Sequence, residues 1–378
     1  MDALTNETVL LSRRRALCST ASLVASLASG RWSVASAAAV PSASFSLAKE
    51  FPNARLLCVS PDGKKLCLED WKAGGYPVRV VEAATWRTLY TGNFQIRALV
   101  VDFFSDSEAL FLDFAGGKGQ LSHRQIAVNI QNGERTERMR AFDPFEYFEQ
   151  MSPIDDRVLL VARYAQRPHK LQWLSRVEFP SYKQLARVDV ATEQADSTPS
   201  AQVSLSADRS VAAYFCGNAL TCRRTADLEV LWSHSMESDL RALPSVSAHG
   251  DFLAAAIAKA VWDGKFEHHK RLYISVYAIK TGTEIARLPQ TGNEGFAISP
   301  DGTLLAVVNG EPGKKGEILP TVHIHEVSSG TRIASLVHDR VPSGRRQFLL
   351  AGCGVSFTSD SRYLITSGMV TKVWSIGA

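Results

Sequence analysis

His323 and His325 stand two residues apart in the extended run Val322 to Leu336. On a strand that spacing sends both imidazoles to one side, and with a third donor from a neighbour they would suit zinc or copper. His268 and His269 are a second pair, but adjacent strand residues point to opposite sides. A closed metal site needs three or four donors and each place offers two, so the alternative is imidazoles facing solvent. Cys58 and Cys67 flank the sequence Ser60-Pro61-Asp62-Gly63-Lys64-Lys65. If Asp62 and Gly63 are the loop residues of a hairpin, Cys58 faces Cys67. At a non-hydrogen-bonded position that places their Cα atoms about 4.5 Å apart, within reach of a disulfide. Cys216 and Cys222 flank the five residues Gly217 to Thr221 and are expected to close in the same way. The competing reading leaves all of these as core thiols.

A third group of residues has ligand-binding rather than ligating chemistry. Trp71 opens the stretch WKAGGYP, Arg167 and His169 lie in a second polar stretch, and Trp262, His268 and His269 lie in a third. Asp143, Glu146 and Glu149 alternate with Phe142, Phe145, Tyr147 and Phe148. Aromatic rings beside carboxylates suit a cationic or sugar-like ligand, and the same rings serve equally to pack neighbouring sheets together. No catalytic residue is assigned. The chain contains no G-x-S-x-G, no H-E-x-x-H and no G-x-x-x-x-G-K-[ST], which are the signatures of a nucleophile elbow, a zinc protease and a phosphate-binding loop.

What must position these residues is a repeat. Cys58 to Leu66 and Ala297 to Leu305 share a Pro-Asp-Gly turn between two β-rich segments, the chemistry of a tight hairpin. Taking the Asp as a marker finds Asp62, Asp106, Asp155, Asp208, Asp301 and Asp360, with His249 in one degenerate copy. Their mean spacing is about fifty residues, the length of a four-stranded propeller blade. An extended run, a turn and a further strand recur six times, as in Val78 to Leu89, Gln125 to Met139, Tyr273 to Leu288 and Val322 to Leu336. The last copy lacks that strand. Ser44 to Lys49 is a strand without a blade, and it is expected to complete the last blade, removing two open edges at once.

The chain therefore resembles a WD-repeat or YVTN-type seven-bladed β-propeller over residues 43–378, Ser299 to Asn309 being the nearest match to the YVTN pattern. The Gly-His and Trp-Asp signatures of strict WD repeats are absent, with Tyr277-Ala278, His325-Glu326 and Trp374-Ser375 in their place. The expected fold class is all-β, one ring of seven blades closed by the N-terminal strand. In such a fold the Pro-Asp-Gly turns lie on one face. The loops carrying Trp71, Tyr147, Arg167, His169, Trp262, His268 and His269 lie on the other. The resemblance implies a module that binds a protein or small molecule on that loop face. The enzyme alternative, a lactonase or quinoprotein-dehydrogenase propeller with a site at the channel mouth, would bring a metal ion or a quinone. Otherwise no cofactor is expected.

Residues 1–39 read as an address. Ser12-Arg13-Arg14-Arg15-Ala16-Leu17 resembles the twin-arginine export motif, with Ala16 where phenylalanine is usual. Ala16 to Ser29 is an apolar stretch too short to span a bilayer, and Ala35-Ser36-Ala37 and Ala37-Ala38-Ala39 fit a small-x-small cleavage site. The expectation is a twin-arginine signal peptide over 1–39 and a periplasmic or secreted propeller over 40–378, monomeric and without a membrane anchor. The formal net charge of the 378-residue chain is +4, and the four arginines and two acids of the first 39 residues account for half of it. A balance so slight gives no basic face for nucleic acid.

Overall fold

The computed structural model describes residues 43–70, 77–93, 100–117, 120–142, 147–166, 169–190, 203–262, 267–289, 295–312, 318–338, 354–368 and 370–377. The expected 1–39 signal, Trp71, Asp143, Phe145, Glu146 and Arg167 lie outside the described residues. Among them there are twenty-eight strands and no helix.

Strand β1 (Ser44–Pro52) comes first. Blade 1 follows as β2 (Ala54–Val59), β3 (Lys65–Asp70), β4 (Pro77–Glu82) and β5 (Thr88–Asn93). Blade 2 is β6 (Val100–Ser105), β7 (Glu108–Gly117), β8 (Gln120–Asn129) and β9 (Arg135–Phe142). Blade 3 is β10 (Tyr147–Asp155), β11 (Val158–Gln166), β12 (His169–Glu178) and β13 (Gln184–Asp189). Blade 4 is β14 (Ser204–Leu205), β15 (Val211–Cys216), β16 (Ala219–Arg224) and β17 (Val230–Ser235). Blade 5 is β18 (Leu240–Val246), β19 (Phe252–Trp262), β20 (Glu267–Ala278) and β21 (Thr283–Pro289). Blade 6 is β22 (Phe296–Ile298), β23 (Leu304–Pro312), β24 (Ile318–Glu326) and β25 (Arg332–Val337). Blade 7 has β26 (Gly354–Phe357), β27 (Tyr363–Ser367) and β28 (Val370–Gly377), and its fourth strand is β1.

The ring closes as expected. β1 runs antiparallel to β28 from Ser44 opposite Gly377 to Pro52 opposite Val370, with a bulge near Leu47. Phe51 then inserts into the cluster between blades 7 and 1, beside Leu66, Leu68, Ile365 and Val373. Two further bonds cross this junction: Leu56 N–H donates to Ser367 Oγ (2.8 Å) and the Thr371 hydroxyl to Ala54 O (2.8 Å).

The core is distributed rather than central. Seven apolar clusters fill the seven interfaces between adjacent blades, the one between blades 4 and 5 containing Ala213, Phe215, Leu253 and Ile257. Second strands are covered on both sides, which is why β15 reads as the unbroken run VAAYFC and is buried throughout. Fourth strands have one face to solvent and alternate, as TEIARLP in β21 does.

Six of the seven markers fall in turns from first to second strand, and Asp155 is the last residue of β10 before its turn. In five blades the hydroxyl of Ser60, Ser206, Ser247, Ser299 or Thr358 accepts a bond from the backbone N–H five residues on. The same hydroxyl of Ser60, Ser299 or Thr358 donates a hydrogen bond to Oδ1 of the Asp two places on. Blades 2 and 3 shorten the turn to two residues, closed by Ser105 opposite Glu108 and Asp155 opposite Val158. Turns from third to fourth strand repeat in six blades. In each, a residue at positive φ (Trp86, Gly133, Tyr182, Leu228, Gly282 or Gly330) donates its N–H to the carbonyl four residues back. The next turn's carbonyl at the same end of the blade accepts from Ala83, Ile130, Phe179, Thr225, Ile279 and Val327, so both turn types share one face.

Candidate functional site

The inner strands enclose a cavity of about 250 Å³ lined by Val59, Ser60, Asp102, Ser204, Ser206, Arg209, Ser245, Ile298, Phe357 and Ser359. Ser60, Ser206, Arg209 and Ser359 belong to first-to-second-strand turns, so this space lies at the turn end of the channel, away from the loop face. Across it, Arg209 Nη1 donates to Asp102 Oδ2 (2.8 Å) and Nη2 to Asp102 Oδ1. Asp102 Oδ1 also accepts from the Phe103 N–H (2.8 Å). Burial alone would favour the neutral guanidine, but the charge and hydrogen bonds of Asp102 outweigh it and hold Arg209 protonated. A second tie crosses the same end, from the His249 ring Nε2 to Ser359 O at 3.0 Å. The degenerate marker thus does different work from the six aspartates. Chemically the cavity offers serine hydroxyls and one carboxylate already neutralised by its arginine.

The loop face is shaped by hairpins of unequal height. The pairing of β7 with β8 runs on to Gly117 opposite Gln120, whereas β6 pairs with β7 only as far as Leu112. In blade 5 the β19–β20 ladder reaches Trp262 opposite Glu267, past Lys259 where β18 begins. In blade 6 β23 and β24 continue to Pro312 opposite Ile318, past Val307. Three second-to-third-strand hairpins therefore stand proud of the ring. Blade 4 by contrast turns at once, Cys216 opposite Ala219.

Of the expected ligand residues, those described are carried by blades 3 and 5. Tyr147 opens β10 opposite Ala165 and His169 pairs with Gln166 at the tip of the blade 3 hairpin. Trp262, His268 and His269 sit on the raised hairpin of blade 5, opposite Glu267, Val261 and Ala260. Blades 3 and 5 are separated by blade 4. His269 and Val261 are exposed there, and Lys259 pairs with Asp239 at 2.7 Å beside them.

His323 and His325 both lie on β24 of blade 6. His323 is buried in blade 6, where its Nε2 accepts from Asn309 Nδ2 (3.2 Å) and its Nδ1 contacts Ser335 Oγ (3.0 Å). His325 turns its Nδ1 to Gly330 O (3.2 Å). Among the described residues no group of three or more His, Cys, Asp or Glu is placed to hold a metal ion. Pairing of Cys216 with Cys222 is corrected. The turn between them has two residues, not five. Cys216 faces the blade 3–4 cluster and Cys222 the blade 4–5 cluster, on opposite sides of the sheet. Cys58 does stand opposite Cys67, and all four are free thiols here.

Aromatic rings pack between blades 4 and 5. Trp232, His234 and Tyr277 form a triad with centroids 4.8 to 5.7 Å apart. Trp232 Nε1 donates to Ile279 O (2.9 Å) and His234 Nε2 meets Gly282 O (2.7 Å), fastening blade 4 to blade 5.

These features define a seven-bladed β-propeller. Among solved structures it is similar to the β-propeller domain of Cps50 (Swd1) from Myceliophteria thermophila. That likeness has a TM-score of 0.54 at 10% sequence identity and covers 88% of this chain and 100% of that one, so it is a likeness of fold. No family model matches the chain and no curated protein does.

Proposed function

We propose that the protein is an exported interaction module that holds a protein or small-molecule partner on its loop face. The observation that carries this reading is the asymmetry of the two faces. One face consists of short turns tied internally and, by Arg209 to Asp102 and His249 to Ser359, across the channel. The other raises the hairpins of blades 2, 5 and 6 above the ring, and a rigid ring with variable hairpins is how a scaffold presents contacts. Export is read from Arg13 and Arg14 followed by the apolar stretch.

The test is site-specific photo-crosslinking in the native cell. A photoreactive residue at Val261 or His269, both exposed on the blade 5 hairpin, is expected to trap one discrete partner or ligand. The same residue at Asn132 or Ser329, exposed in third-to-fourth-strand turns, is expected to trap none. Equal trapping from both faces refutes the assignment. Arg13→Lys with Arg14→Lys is expected to leave the full-length precursor in the cytoplasm, and normal export of that variant refutes the twin-arginine reading.

A further inference from the structure

Cys58 lies on β2, the strand of blade 1 nearest the channel, and Cys67 faces it from β3 just past a bulge at Leu57. The Ser60 N–H donates to Lys65 O (2.9 Å), so that pair is a hydrogen-bonded one. Alternation along the ladder makes Cys58 and Cys67, two steps back, a hydrogen-bonded pair as well, not the non-hydrogen-bonded one the sequence suggested. Facing Cα atoms at such a position stand about 5.5 Å apart, near the middle of the range a disulfide spans. Both side chains enter the cluster between blades 1 and 2. The next two residues, Val59 and Ser60, line the channel cavity with Asp102 and Arg209.

We propose that Cys58 and Cys67 are a redox modification site, a dithiol that a disulfide-bearing oxidant converts to a cross-strand disulfide in the wall of the channel. Cys58 is the less buried of the two, so it is the thiol that meets the oxidant first as the chain folds. Its thiolate attacks the oxidant's S–S bond and releases one thiol, leaving a mixed disulfide. Cys67 then displaces the second. The chain loses two S–H bonds and gains one S–S bond, and the oxidant leaves as two thiols carrying both protons. Burial, then the Cys67 neighbour, pushes the Cys58 thiol well above its ordinary range, so attack in the folded ring is slow and the bond is set mainly during folding. Cys216 and Cys222, on opposite faces of their sheet, serve as internal controls.

The experiment uses the purified full chain, unfolded and refolded with a mixture of reduced and oxidised glutathione, then denatured and alkylated. Trypsin cuts after Lys64 and Lys65, between the two cysteines, so the disulfide appears as two joined peptides that separate on reduction. The expected result is residues 58 and 67 joined and Cys222 alkylated. Both Cys58 and Cys67 alkylated, or either joined to another cysteine, overturns the proposal. A second readout is the urea midpoint. It is expected to rise on oxidation and to lose that rise in the Cys58→Ser, Cys67→Ser chain. A rise that persists in the double variant also overturns it. Neither readout depends on export or on the loop-face partner.

Discussion

Arg209, in the inner turn of blade 4, grips Asp102, on the inner strand of blade 2, through both terminal nitrogens and past the whole of blade 3. The two lie 107 residues apart in sequence, so the contact acts as a strut across the turn end of the ring. Removing one partner leaves the other charge largely desolvated. Arg209→Met is therefore expected to cost about 2 kcal/mol in urea denaturation, below the range for a fully buried pair because both side chains keep some exposure. Adding Asp102→Leu is expected to recover most of that loss. Additive losses would contradict the strut.

Gly302 and Gly330 both sit at positive φ, 73° and 69°, but in different surroundings. A Cβ at Gly302 would fall 2.6 Å from the Phe252 ring of blade 5, while one at Gly330 meets nothing within 4 Å. Gly330→Ala should cost only the backbone conformation, about 1 kcal/mol. Gly302→Ala should cost that plus the displaced ring, roughly 2–3 kcal/mol in all. Equal thermal midpoints for the two variants would contradict this packing.

The turn aspartates give the fold an acid limit. Burial pushes the carboxyl of Asp360 up, but hydrogen bonds from Thr358 and Arg362 outweigh it and hold it below the usual range, and Asp62 behaves alike through Ser60 and Lys64. A depressed folded value means stability that is present above the unfolded pKa and lost as pH falls through the folded one. Asp360→Asn is thus expected to lower the urea midpoint at neutral pH and to matter progressively less as the pH falls below the ordinary carboxylate value of ~4. Asp106 has the opposite sign, raised by burial and then by Asp62. Asp106→Asn keeps an acceptor for the Asp62 N–H, and its midpoint at neutral pH is expected to equal or exceed that of the unchanged chain.

The seam between the two chain ends is anchored by Phe51, 5% exposed and edge-on to Trp86 at 6.0 Å. Phe51→Ala is expected to cost about 3–4 kcal/mol. Deleting residues 43–52 should do more, exposing the edge of β28 and promoting association, which light scattering would register. A deletion that leaves a monomer of unchanged stability would contradict closure by β1.

The architecture was legible because each blade repeats its own turn chemistry. Asp62, Asp301 and Asp360 mark the same turn, and the lone strand at Ser44 had only one edge left to pair with. The hydroxyl two residues before the marker was equally visible, as Ser60, Ser206, Ser247, Ser299 and Thr358, yet its role emerges only when Oγ is seen to meet both the Asp and the returning N–H. Sequence could not reveal the Arg209–Asp102 strut. Nothing local relates two residues in different blades, and a turn arginine ordinarily reads as solvated. The surroundings of His323 were hidden for a related reason: period two gives its side of the strand, but not that Asn309 and Ser335 stand beside its ring. Cys216 and Cys222 misled through turn length, since a two-residue turn instead of five reverses which face each sulfur takes.

In the proposed reading one face of the ring is a closed brace and the partner sits on the other. Amide hydrogen exchange, with and without the partner trapped from Val261, tests it most directly. Added protection is expected in the raised hairpins around residues 112–125, 258–270 and 307–322, with none in the turns 60–65, 299–304 and 358–363. Protection concentrated in those turns, with the hairpins unchanged, would contradict the account.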